Sequence, residues 1–142
     1  MSLKKQSVSA VLIILFVAHF AFAQVDEARD AIENGEYVRA VNILTEALAS
    51  NPTPDVYLYL GIAYNRLKEY QKAEDLLKEG SRRYRQDPRF YNELADLYLT
   101  NNDRDAAKSE LRRALVVDPA NNYASDLLAT IDHEVPKPIV GQ

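Results

Sequence analysis

Residues 54–87 laid over residues 88–121 match in register, and no other feature of the chain restricts its fold as tightly as this 34-residue internal period. Pro54 meets Pro88, Tyr57 meets Tyr91, Leu60 meets Leu94, Gly61 meets Ala95 and Tyr64 meets Tyr98. Further on, Ala73 meets Ala107, Leu77 meets Leu111 and Gly80 meets Ala114. An earlier copy, one residue shorter, starts near residue 21 and aligns Ala40, Leu44 and Ala47 with Ala73, Leu77 and Gly80. Tyr57, Leu60 and Tyr64 recur at spacings of three and four, so they share one helical face. Small residues at 61, 73, 80 and 114 let helices approach closely, and Leu77 fills the space between one hairpin and the next. Turns recur at one phase: Asn34-Gly35, Leu67-Lys68-Glu69 and Asn101-Asn102-Asp103. Pro52 and Pro119 lack an amide proton and stop the helices before them.

The spacing therefore predicts helices over about 25–34, 37–50, 55–66, 70–84, 89–100 and 104–117. A seventh, 121–133, repeats the early phase with Leu128 and Ala129 but has no second helix after it, and it reads as a cap on the last hairpin. The segment 134–142, with Pro136 and Pro138, is a loose tail.

Residues 1–23 have a different character. Lys4 and Lys5 precede an apolar run from Val8 to Phe22, broken only by Ser9 and His19, and the segment closes on Ala21-Phe22-Ala23 before Gln24. A basic start, a short apolar stretch and small residues at the peptidase positions describe a secretory signal cleaved after Ala23. An uncleaved membrane anchor is the alternative; it would want about 20 apolar residues, more than this run holds. A buried core helix fits less well still, because the run has no polar face. The chain is expected to be periplasmic or secreted, with no stable membrane insertion after cleavage.

Charge narrows the function. The formal net charge is −4, and without Lys4 and Lys5 there remain 15 basic against 21 acidic side chains, a net of −6. An acidic domain is a poor binder of phosphate backbones, so nucleic acid is excluded as a partner. There is no Cys and only two His, His19 and His133. Disulfides, thiolate metal sites and a His cluster are thereby excluded, and no cofactor is expected. The carboxylate pairs Glu74-Asp75 and Asp103-Asp105 fall on expected outer faces or in turns, where nothing desolvates them for acid–base work. No Gly-x-Ser-x-Gly elbow or Gly-rich phosphate loop is present, and the chain does not read as an enzyme. The basic cluster Arg82, Arg83 and Arg85, with Lys78, ends a helix where cations suit the dipole, and Glu74, Asp75 and Glu79 offset it.

These aligned residues are the signature of the tetratricopeptide repeat, which the chain resembles from Gln24 to about Asn121: a large apolar residue, Leu, a small residue and Tyr on helix A, then small, large and small on helix B, then Pro. The first copy departs from the pattern, with Glu27 in place of Leu and Ala31 in place of Tyr, so its hairpin is expected to be thinly packed. The resemblance implies an all-α solenoid of three hairpins, about 24–53, 54–87 and 88–121, wound as a right-handed superhelix and closed by the capping helix. It also implies a protein-binding scaffold whose concave groove holds a partner peptide or helix. Carried over residue by residue, the groove is lined by Asp26 and Arg29 of the first copy, Leu58, Tyr59, Ile62, Asn65 and Arg66 of the second, and Arg89, Asn92, Glu93 and Asp96 of the third. Some members grip a C-terminal carboxylate from five positions that here hold Val25, Arg29, Tyr59, Arg89 and Glu93. Only Arg89 keeps that chemistry, and Glu93 opposes it. The implied setting is assembly or secretion in a bacterial envelope. Self-association into a homo-oligomeric scaffold is the alternative, and an accessory subunit of an envelope enzyme a more remote one.

Overall fold

The helices begin and end at the phase set by the repeat. The computed structural model describes residues 23–133, and among them every regular element is an α-helix. In chain order α1 covers residues 23–33, α2 Tyr37–Ser50, α3 Pro54–Arg66, α4 Tyr70–Arg83, α5 Arg89–Thr100, α6 Arg104–Val117 and α7 Asn122–His133. The expected leader, apart from Ala23, and the expected tail lie outside the described residues.

One C-terminal device is used three times. Gly35, Lys68 and Asn102 occupy equivalent positions after α1, α3 and α5, with φ of 77°, 64° and 65°. In each, the left-handed residue donates its N–H to a carbonyl three residues back, and the next residue donates five back: Gly35 to Ile32 (3.0 Å) and Glu36 to Ala31 (2.8 Å), Lys68 to Asn65 (3.0 Å) and Glu69 to Tyr64 (2.9 Å), Asn102 to Leu99 (3.0 Å) and Asp103 to Tyr98 (2.8 Å). These bonds satisfy the carbonyls a helix leaves open at its end and turn the chain into the second helix of the pair. Starts are capped too. Thr53 accepts from the Val56 amide (3.4 Å), Asp103 from Ala106 (3.0 Å) and Asn121 from Ala124 (3.1 Å).

The chain divides into two compact units, one ending at Ala73 and the other starting at Glu74. In the first, α2 packs on α3, and Ala28, Ala31, Ala40, Leu44, Ala47, Val56, Tyr57, Leu60 and Ala63 are buried. Glu27 and Ala31 stand where Leu and Tyr stand in later copies, so α1 brings little bulk to this core. An ion pair from Glu27 to Arg39 (2.8 Å) ties it to α2 from outside. In the second unit α5 packs on α6 and α6 on α7. Tyr91, Ala95, Ala107, Leu111, Ala114, Ala124 and Ile131 form one buried cluster, with Tyr98, Leu99, Leu115, Leu127 and Leu128 against it. Leu44, Leu77 and Leu111, the equivalent large residues of the three copies, are all fully buried, each worth about 1.5–3 kcal/mol relative to exposure.

Gly80 carries the close approach expected of it. A β-carbon there would stand 2.7 Å from Cζ and 2.8 Å from Cδ1 of Phe90, so the Phe90 ring occupies the space a side chain would need. Tyr84 stacks on the same ring, with centroids 6.2 Å apart. Tyr98 lies part-buried, and its hydroxyl donates to Glu74 of α4 (2.8 Å). Glu74 is consequently half-buried and engaged, and does not sit on a solvated outer face as its sequence neighbourhood suggested.

Candidate partner-binding faces

The proposed groove residues sit on α1, α3 and α5, the first helices of the three pairs, and fall into two groups, one in each unit. In the first unit Asp26 and Arg29 lie one turn apart on α1 and form an ion pair (2.7 Å). Asp26, and then a hydrogen bond with Tyr59 of α3, hold the Arg29 guanidinium more firmly protonated than an ordinary arginine. Tyr59 is half-buried, as is Ile62, whereas Arg66 is exposed at the end of α3. The structure thus gathers Asp26, Arg29 and Tyr59 into one polar group. Asn65, half-buried, holds its Oδ1 out of solvent with no hydrogen-bond donor.

Leu58 does not belong to this face. It is 4% exposed, and its neighbours Val56, Tyr57, Leu60, Gly61 and Ala63 are buried as well. A single apolar stripe cannot describe a helix enclosed over most of its girth, which is why reading α3 as one buried face and one open face assigned Leu58 to the wrong one. It is a core residue.

In the second unit, Arg89 is engaged by Asp87: Nε lies 2.9 Å and 3.2 Å from the two carboxylate oxygens, and a terminal nitrogen 2.7 Å from Oδ2. The one residue that kept carboxylate-gripping chemistry already holds a carboxylate of its own chain. Asn92 Oδ1 accepts from Asn121 Nδ2 (3.3 Å), and Asp96 accepts from the hydroxyl of Tyr123. Glu93 lies half-buried between them on α5. Tyr123, 48% exposed, has its phenol pKa pushed up, first by burial of the hydroxyl end, then by the hydrogen bond to Asp96, and less by the charges of Asp96 and Glu93.

Asn121 and Tyr123 are therefore part of this second face, although they were not among the sequence-derived candidates. The signal was available. Position 123 lies one 34-residue period beyond Arg89, so the early phase already assigned to 121–133 also carried Tyr123 to a strip position.

Elsewhere the charges are paired locally. Arg82 and Arg83 both reach Glu79 (2.8 Å and 2.6 Å), and their hydrogen bonds hold the Glu79 carboxyl below its ordinary pKa. Arg85 donates to the Arg82 carbonyl (3.3 Å). Among the described residues no three His, Cys, Asp or Glu side chains are grouped to hold a metal, and no helix is long and apolar enough to cross a membrane.

Helix pairs at a 34-residue period, with polar strips on their first helices and Tyr59 and Tyr123 beside them, define a helical-repeat protein of the interaction class. Residues 31–92 and residues 88–121 each match the tetratricopeptide repeat, and the chain belongs to that family. No curated protein matches the sequence. Solved structures of the same fold include the first tetratricopeptide domain of Spaghetti (RPAP3) bound to the HSP90 peptide SRMEEVD, at 22% identity and a TM-score of 0.71, covering 79% of this chain and 90% of that one. The type III secretion translocator chaperone SycD of Yersinia enterocolitica is 19% identical with a TM-score of 0.73, covering 79% and 91%. PcrH in complex with the chaperone-binding region of PopB is 20% identical with a TM-score of 0.69, covering 80% and 93%. At such identities the likeness is one of fold.

Proposed function

We propose that this protein is an adaptor that holds a segment of another protein, an extended peptide or a helix, against the exposed strips of its first helices. The observation that carries the reading is the Asp26–Arg29–Tyr59 group with Ile62 and Arg66 beside it: an aromatic ring, an apolar side chain and both signs of charge on one accessible strip. Such a mixture suits a peptide backbone flanked by varied side chains better than it suits a single small ligand. The peptide complexes of similar fold, RPAP3 with its HSP90 peptide and PcrH with its PopB region, support the same use here.

Recognition of a bare C-terminal carboxylate is not part of the proposal. Arg89 holds Asp87, Arg29 holds Asp26, and Glu93 stands where a cation would be needed. Stacking of copies end to end has less support than the adaptor reading, because the outward side of α7 presents Ser125, Asp126, Ala129 and Thr130, all exposed and none large and apolar. The setting we propose is the bacterial envelope, reached by export; this rests on the sequence of residues 1–23.

Capture of a partner from an envelope fraction, followed by repetition with Tyr59→Ala and Arg66→Glu, tests the reading. Both variants should lose the captured protein while remaining folded, and Arg66→Glu, an exposed change, should cost no more than about 0.5 kcal/mol of stability. Undiminished capture by both would refute the strip as the binding site.

A further inference from the structure

We propose that Asn34-Gly35 is a site of spontaneous deamidation, and that the resulting aspartate or isoaspartate loosens the hairpin formed by α1 and α2. The three helix-ending turns isolate the chemistry. Each has the same left-handed residue and the same pair of backbone hydrogen bonds, but the dipeptides differ: Asn34-Gly35, Leu67-Lys68 and Asn101-Asn102. Leu67 has no carboxamide. Asn101 has one, but its successor carries a side chain that crowds the approach of backbone nitrogen to the carboxamide carbon. Gly35 carries none, both Asn34 and Gly35 are exposed, and the space where a β-carbon would stand is open, with nothing within 4 Å.

The reaction needs only water. The Gly35 backbone nitrogen, on losing its proton, attacks Cγ of Asn34 and closes a five-membered imide. The Cγ–Nδ2 bond breaks, and Nδ2 leaves as ammonia, the lost amide proton being made good from solvent. Water then opens the imide at either carbonyl, giving aspartate or, with one more carbon in the main chain, isoaspartate. In the closed turn the Gly35 N–H is held by the Ile32 carbonyl at 3.0 Å, so attack proceeds from a transiently opened turn. Opening costs less in the first hairpin, because α1 places Ala31 in the core at the position that Tyr64 and Tyr98 hold in the later copies. The product is unfavourable for the turn in two ways. A new negative charge sits at the C-terminal end of α1, where the helix dipole opposes it, and the longer isoaspartyl backbone breaks the register of the bonds from Gly35 and Glu36.

The full chain, incubated folded in mildly alkaline buffer and mapped by proteolysis and mass spectrometry, tests the proposal, with Asn101 as the internal reference. Asn34 should convert at least about tenfold faster than Asn101, because Gly35 has no side chain to crowd the attack and the first turn opens at lower cost. Aged protein should lose amide protection at Gly35 and Glu36 by hydrogen exchange, and an Asn34→Gln variant aged alongside should keep it. Equal conversion at the two sites overturns the proposal. So does an unconverted Asn34 in folded protein when the same chain in urea converts there.

Discussion

Gly80 lacks a side chain where the Phe90 ring needs the room, and the consequence can be measured. Alanine ordinarily favours a helix over glycine by about 1 kcal/mol, so Gly80→Ala would stabilise α4 if propensity decided the outcome. Here the added methyl meets a fully buried ring. Overpacking of this kind costs about 1–3 kcal/mol, and a lower denaturation midpoint is expected for Gly80→Ala. Lys68 presents the opposite case. It holds φ of 64° without being glycine, and the left-handed conformation costs an ordinary residue about 1–2 kcal/mol. Lys68→Gly should raise the midpoint, by no more than about 1 kcal/mol once the extra entropy of the unfolded glycine is counted. Residues that repeat were readable in this way because the alignment shows each one in several copies. Leu58 was not, since a one-stripe view of α3 carries no information about how many sides of the helix are covered.

At the scale of elements, the boundaries followed from turn chemistry at one phase, and the observed helices fall within a residue or two of those expected. What the sequence did not convey was how α7 is attached. Its buried apolar residues are Ala124 and Ile131, with Leu127 and Leu128 part-buried against the same cluster. Polar ties supplement them: Asn121 to Asn92, Tyr123 to Asp96, and an ion pair from Lys108 of α6 to Asp132. Those partners lie from 24 to 29 residues apart in sequence, beyond the reach of any local pattern. Tyr123→Phe keeps the ring and removes the hydroxyl that Asp96 accepts from. It should destabilise the chain by about 1 kcal/mol, the net worth of one hydrogen bond at a half-exposed site. A thermal melt matching that of the parent would mean that the bond from Tyr123 to Asp96 does not help to hold α7.

For the molecule as a whole, the acid limb of its stability follows from carboxylates held by cations of their own unit. Glu74 is the clearest case. The Lys78 ammonium lowers its pKa most, burial works against that, and the Tyr98 hydroxyl lowers it further. A carboxylate whose folded pKa lies below its unfolded one binds fewer protons folded than unfolded. Its contribution is therefore complete above the ordinary carboxylate value of about 4.3 and disappears as pH falls through the lower folded value. Asp132, with Lys108, acts with the same sign. Glu74→Gln removes the titration while keeping an acceptor for Tyr98. The variant should be less stable than the parent at neutral pH, and the gap should close as pH falls below the ordinary carboxylate range, where the parent's own Glu74 becomes protonated. Denaturant melts of both proteins across that range decide the matter. A gap that stays constant down to acid pH would show that the Tyr98–Glu74–Lys78 group contributes through shape and packing, with its charge playing no part in joining α4 to α5.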